Sequence, residues 1–491
     1  MDLNLFLGVV FILGTVWLWR TKHERHAILF MIRTKHFLKL IDELAAYKPK
    51  IWHFFADAAV VFSFGGLGAT YVSKFSRDKE NVYWIIGLFG LGLAYVWSST
   101  LWISLSILVS VSVAAYILSR IKNHLLNTLS CVALIISLGV SAGLPFNPIL
   151  VASSILGVPA FLLITLSLHA YQLLIGATDV PGISPALPAT KEGQLVITFP
   201  GTGINMPIIY FLIVIAVTMV SHELAHGILA RVYNLKVKST GILTLGIMPI
   251  GAFVEPDEKE LEKRPTLEKM HLYAVGSFAN MLVAIASLIL IVYILGPIVG
   301  TMTYVDGMEA IAFDTTRDDY PAQKYLEEGT VIYKINSLKV NSTDAFFQSA
   351  RTLKIGEPVV IESDKGTITF EAVEHPKNSS RAYMGVVVKE HIKFQPPYDD
   401  MKYLRHVLGF IAITLSWMFL INLSISLVNL LPMVPFDGGK MLVELFRIVN
   451  IKDSTVRKVI SGVVAYVVII IFINMSPLFK KLGDLILELL I

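Results

Sequence analysis

The sequence predicts an α-helical protein that crosses a membrane about ten times and carries one small α/β domain outside the bilayer. Three observations predict it. Hydrophobic residues make up 55% of the 491 and charged residues only 16%, with mean hydropathy +0.66, the balance of a polytopic membrane protein rather than a water-soluble one. The apolar residues gather in runs of spanning length, at 3–19, 55–72, 82–97, 101–118, 125–142, 149–174, 208–229, 272–299, 407–431 and 460–475. Six of the seven tryptophans, Trp17, Trp19, Trp52, Trp84, Trp97 and Trp102, fall near the ends of those runs, where an amphipathic ring settles at the headgroup level.

The chain divides into four parts: a membrane module of about six spans at 1–175, a first membrane half-core at 176–300, a soluble insert at 301–400 and a second half-core at 401–491. Lys and Arg set the orientation. Arg20, Lys22, Arg25, Arg33, Lys35, Lys39, Lys48 and Lys50 follow the first span, so that loop is cytosolic and the N-terminus lies outside. Parity then places the basic stretches 231–269 and 440–458 in the cytosol and the insert outside it. Lys74, Arg77, Lys79, Arg120 and Lys122 fall on the opposite side and count against the scheme. The first run has no positive n-region and reads as a retained helix. Cys131 is the single cysteine, which excludes an internal disulfide and a cysteine metal site. The net charge of +4 is accounted for by cytosolic loops, and nothing indicates nucleic-acid binding.

Chemistry concentrates in His222-Glu223-Leu224-Ala225-His226, at the cytosolic end of the run 208–229. Histidines four apart lie one turn apart on one helix face and can share one Zn²⁺; Glu223 points elsewhere and can act on a water at that metal. Polar side chains are costly where hydrocarbon is expected, so two histidines and a glutamate there ask for a function. A catalytic zinc takes three protein ligands. Asp437, in Asn429-Leu430-Leu431-Pro432-Met433-Val434-Pro435-Phe436-Asp437-Gly438-Gly439, is the candidate third. Its other reading is the N-cap of a helix over 440–449, and the two roles are compatible.

These motifs resemble those of the site-2 proteases, the intramembrane zinc metalloproteases of peptidase family M50. The matching elements are His222–Gly227, the Asn-x-x-Pro-x-x-x-x-Asp-Gly-Gly run ending at Gly439, and Gly276-Ser277-Phe278-Ala279-Asn280 at the head of the next span. The resemblance covers about residues 180–475. Phe436 stands where many members have leucine, and Lys440 where bacterial members often have histidine. The resemblance implies one Zn²⁺ per chain on His222, His226 and Asp437, with Glu223 as the base. It also implies substrates that are single-span membrane proteins already trimmed by another protease, and a prokaryotic cell membrane as the location. Asn280 is a candidate donor to a developing oxyanion or to substrate backbone; a helix–helix hydrogen bond is the equal alternative.

Within the insert, strands are expected at 330–335, 358–362, 367–372 and 383–389, and a helix at 342–353. The order from Tyr325 to Ser337 resembles the middle of a PDZ domain, which site-2 proteases often carry at this point, so the insert is expected to capture an extended peptide and act as an extracytosolic gate or size filter. Asn341-Ser342-Thr343 and Asn378-Ser379-Ser380 fit the N-glycosylation pattern there. Residues 241–256 are apolar but broken by Gly and Pro, which predicts a re-entrant β-like loop whose edge can hold a substrate extended. Residues 181–207 read as a hairpin or lid. Asn422 and Asn429 fit packing better than a cavity lining, and Asp57 and His169 have no visible partner and no role. The expected activity is intramembrane zinc endopeptidase. Its alternatives are a catalytically silent scaffold or chaperone that binds transmembrane helices, against which Glu223 argues, and a zinc transporter, which would need further sites.

Overall fold

The computed structural model describes residues 3–480, leaving out 22, 36, 79–80, 83, 192, 314–319, 376–377, 449–450 and the run 86–146 apart from 132, 133 and 136. Contacts divide the chain into two units, 1–288 with 414–491, and 289–413.

Among the described residues, five helices are long and apolar enough to span a bilayer, against the ten runs expected. The expected spans 101–118 and 125–142, and most of 82–97, lie outside the described residues. In chain order the first unit opens with α1 (Leu3–Arg20), the hairpin β1 (Glu24–His26) and β2 (Leu29–Thr34), α2 (Leu38–Ala46) and α3 (Pro49–Phe75). Pro49 starts α3, where a missing N–H costs nothing. The expected span 149–174 is two helices, α4 (Pro148–Leu156) and α5 (Val158–Leu174), broken at Gly157. Gly157 has φ +76°, and a Cβ there would stand 2.1 Å from the Ser63 carbonyl oxygen, so the break is where α3 crosses at backbone distance; Gly65 kinks α3 at the same crossing.

The stretch 181–207 is a three-stranded antiparallel sheet, β3 (Leu187–Lys191), β4 (Gln194–Phe199) and β5 (Ile204–Pro207), feeding directly into α6 (Ile208–Val232). At 25 residues α6 is about 37 Å long, enough to cross hydrocarbon. The loop expected at 241–256 is a longer hairpin, β6 (Val237–Leu245) and β7 (Met248–Pro256). The N-terminal hairpin joins it through β2–β6, giving a four-stranded sheet in the order β1-β2-β6-β7 with β7 at an edge. Then α7 (Thr266–Met302) begins, with a π-helical stretch at Leu290–Leu295.

In the second unit, β8 (Thr303–Phe313), β9 (Val331–Ile335), β10 (Leu338–Lys339), α8 (Thr343–Arg351), β11 (Pro358–Ser363), β12 (Gly366–Glu371), β13 (Val373–His375), β14 (Asn378–Tyr383) and β15 (Val386–Phe394) form a small α/β domain. Its main sheet runs β12-β11-β9-β8-β15. Met308, Ile332, Ile335, Phe346 and Ile361 fill its core, and the Ser342 hydroxyl caps α8 by accepting from the Ala345 amide at 3.1 Å.

The chain continues with α9 (Lys402–Asn429), α10 (Asp437–Ile448) and α11 (Asp453–Asn474). In the first unit, two-thirds (67%) of the apolar window of α3 is buried in protein, against 11–17% for the other four long helices. Among the five long helices described, α3 is therefore the inner one, and the others turn most of their apolar surface outward, as lipid-facing helices do. Val60, Phe64 and Val72 of α3 pack with Met270, Ala274 and Phe278 of α7 and with Leu430 and Met441.

Candidate metal centre

Two elements bring the histidines and Asp437 together. Helix α6 sets His222 and His226 one turn apart, their rings 4.8 Å centroid to centroid. Helix α10 begins at Asp437, which reaches the same point from the far end of the sequence. Its Oδ2 lies 3.4 Å from His222 Nε2 and 3.5 Å from His226 Nε2, and the two Nε2 atoms are 3.1 Å apart. The three side chains are only 10–15% exposed. Tetrahedral zinc with bonds of about 2.0–2.1 Å holds its ligand atoms about 3.3 Å apart. Two imidazole nitrogens and a carboxylate oxygen at these separations fit that ion.

The Asp-Gly-Gly start of α10 follows from crowding. A Cβ on Gly438 would stand 2.3 Å from the Leu430 carbonyl oxygen, and one on Gly439 would stand 2.3 Å from the Met433 carbonyl carbon. The helix can begin there only without side chains. The Gly439 and Lys440 amides turn to the Phe436 carbonyl at 3.1 and 3.4 Å, which leaves the Asp437 carboxylate for the histidines. Lys440 Nζ sits 3.3 Å from Asp437 Oδ1.

Helix α7 supplies the surroundings through three residues spaced by four: Leu272, Gly276 and Asn280. His226 Nδ1 lies 2.7 Å from the Leu272 carbonyl oxygen, which can only accept, so the proton is on Nδ1 and Nε2 is free as a ligand. Asn280 Nδ2 lies 3.2 Å from His222 Nδ1, and Ser221 Oγ donates to Asn280 Oδ1 at 3.1 Å. Turned over, the same amide accepts the His222 Nδ1 proton and donates to Ser221, the arrangement a metal on Nε2 requires. Between them, Gly276 leaves open the space beside both Nε2 atoms. Ser426 Oγ donates to the Ser277 carbonyl at 2.7 Å and ties α9 to α7. The buried pair Lys269–Glu444, 3.4 Å apart, ties α10 to α7.

Glu223 Oε2 accepts the Val254 amide of β7 at 2.8 Å, so the side chain touches the edge strand of the hairpin. Asn422 is fully buried and donates to the Met418 carbonyl of its own helix at 2.9 Å. Two residues read as partnerless in the sequence have partners. His169 Nε2 lies 3.0 Å from the Val180 carbonyl oxygen, and Asp57 Oδ1 lies 3.1 Å from His271 Nε2. His271, Tyr233, Lys269 and Glu444 went unread. The one local signal was charged or polar side chains at the mouth of an apolar run, and their partners lie tens to hundreds of residues away.

Apolar helices around two histidines and an aspartate, with a glutamate beside them, define a multi-pass membrane protein with a metallopeptidase-type ligand set. The chain belongs to peptidase family M50, whose profile matches residues 210–473. It is similar to an uncharacterised protein of Methanocaldococcus jannaschii, 29% identical over 258 residues that make up 52% of this chain and 61% of that relative. It is also similar to a Clostridium perfringens protein provisionally named a zinc metalloprotease, 22% identical over 313 residues, with 50% of this chain and 90% of that relative covered.

Proposed function

We propose that this chain is an intramembrane zinc endopeptidase that hydrolyses peptide bonds within or near the transmembrane segments of single-span membrane proteins. The observation that carries the reading is the triangle of His222 Nε2, His226 Nε2 and Asp437 Oδ2, at 3.1–3.5 Å, in helices whose outer faces are apolar.

His222, His226 and Asp437 would hold one Zn²⁺. When bound, zinc activates a water and polarises the scissile carbonyl. Glu223 takes the proton of the attacking water and delivers it to the leaving amine. Asn280 has two candidate roles: fixing His222 through its ring nitrogen, and donating to the developing oxyanion. A helical substrate hides its peptide bonds in its own hydrogen bonds, so it must be unwound first. Strand β7 is an edge of its sheet and lies beside Glu223, and a sheet edge can take up an extended segment. The α/β unit is read as a PDZ-type domain that takes the extracytosolic end of the substrate and limits which substrates enter.

The test is zinc content of the detergent-purified chain together with cleavage of a reconstituted single-span substrate, wild type against Glu223→Gln. One zinc per chain in both proteins with cleavage only in wild type supports the reading. Cleavage by the Gln variant, or a folded wild type without zinc, defeats it.

A further inference from the structure

Asp57 belongs to α3, outside the residues 210–473 matched by the family profile, yet it sits beside the metal centre's supporting helix. It is 1% exposed and His271 is 3% exposed. Asp57 Oδ1 lies at ion-pair distance from His271 Nε2, 3.1 Å, without the alignment of a hydrogen bond. Asp57 Oδ2 is held by the Ser76 hydroxyl at 2.8 Å and the Asn81 amide at 2.9 Å, both donating. On the other side of the imidazole, His271 Nδ1 lies 2.6 Å from the hydroxyl of Tyr233, the residue that ends α6, and the two rings stack with 10° between their planes. One imidazole therefore joins three elements: the inner helix α3, the end of the histidine-bearing α6, and the first turns of α7.

The next residue after His271 is Leu272, whose carbonyl oxygen receives His226 Nδ1 at 2.7 Å. The peptide that orients a metal ligand is thus fixed by the side chain immediately before it. We propose that Asp57 is a positioning residue for the metal centre: through His271 it fixes the Leu272 carbonyl, and through that carbonyl the ring of His226. A carboxylate suits the task. Two donors on Oδ2 fix the carboxylate, and its other oxygen sets a negative charge against the edge of the His271 ring. The N-terminal membrane module is then part of the metal site's supporting structure.

This inference rests on the zinc reading, and its test separates the two. The full chain is purified in detergent as wild type, Asp57→Asn and Tyr233→Phe. Zinc affinity is measured by competition with a chelator, the Co²⁺-loaded proteins are examined by visible absorption, and the thermal midpoint is taken without metal. Outer-shell partners of a ligand histidine are worth about 10–100-fold in metal affinity, and a partner one step further out is expected at the low end, about tenfold. The expected result is that loss in Asp57→Asn, with an altered cobalt spectrum of the loaded protein, whether or not the metal-free midpoint falls. A general loosening of the fold would instead lower the midpoint and leave the spectrum of the loaded protein as in wild type, which overturns the proposal. If Asp57→Asn does not fold, Tyr233→Phe removes only the hydroxyl on His271 and carries the same expectation. Wild-type affinity and spectrum in the folded variants overturn the positioning role and leave the zinc reading standing. A wild type that binds neither zinc nor cobalt overturns both.

Discussion

Gly276 of α7 lies directly against His226 of α6: a methyl group on Gly276 would stand 2.3 Å from His226 Nε2 and 2.6 Å from His222 Nε2. A side chain at 276 would occupy the space beside both Nε2 atoms, where the proposed metal would bind. Gly276→Ala should therefore cost zinc rather than fold, since alanine favours a helix by about 1 kcal/mol over glycine. Metal analysis should find well under one zinc per chain, with helical circular dichroism unchanged.

Glu223→Gln keeps the shape of the side chain and its place by the Val254 amide, but removes the carboxylate proposed as the base. Proteolysis should fall by about 10²–10⁴-fold, the worth of a positioned general base. Zinc content should stay at the wild-type value, measured on the same preparation.

Asp437→Ala removes the carboxylate from the triangle with His222 and His226, one of the three proposed donors, and leaves Lys440 without its carboxylate partner. Zinc affinity should drop by more than the 10–100-fold typical of an outer-shell change. Chelator competition on the purified protein measures it.

Glu444 is 4% exposed at its side chain and holds Lys269 in the interior at 3.4 Å. Glu444→Gln leaves that ammonium buried without a countercharge, so the chain should lose about 3–5 kcal/mol. The thermal midpoint in detergent should fall, and protease activity at low temperature should fall with it if α10 shifts Asp437.

In the α/β unit, the hydrogen bond from Lys389 holds the Glu309 carboxyl below its ordinary value, with His391 adding to the effect. A depressed carboxyl stabilises the folded state above its unfolded pKa and loses that contribution as pH falls through the folded one. Hydrogen exchange of the β8 and β15 amides should accelerate as pH drops below about 4, after correction for the intrinsic rate, and Glu309→Gln should remove that dependence.

The meeting of His222, His226 and Asp437 could be anticipated because each residue carries a local signal. His222 and His226 share a helix turn, and Asp437 is marked by the two glycines that its crowded helix start demands. In the α/β unit β9, β11 and β12 were legible from alternation and fall within a residue or two of the expected limits, whereas β8, β10 and β13 were not read and the expected strand 383–389 runs across the turn between β14 and β15. What could not be read was pairing across distance. Asp57 looked solitary because His271 is 214 residues on. The loop at 241–256 looked like a lone re-entrant segment because its partner strand β2 lies near the N-terminus. The break at Gly157 looked like one continuous span because hydropathy does not register a backbone crossing.

The pairing of β2 with β6 also constrains how the chain is made. Thr34 waits for Thr240, 206 residues later, to complete the sheet. At about 5–20 residues per second of synthesis, the edge of β2 stays unpaired for about 10–40 s. An unpaired strand edge is a template for the wrong partner, so the interval must be bridged by something that covers it. Ribosome pausing or a chaperone at the membrane face would then decide the yield of folded protein before any question of activity arises.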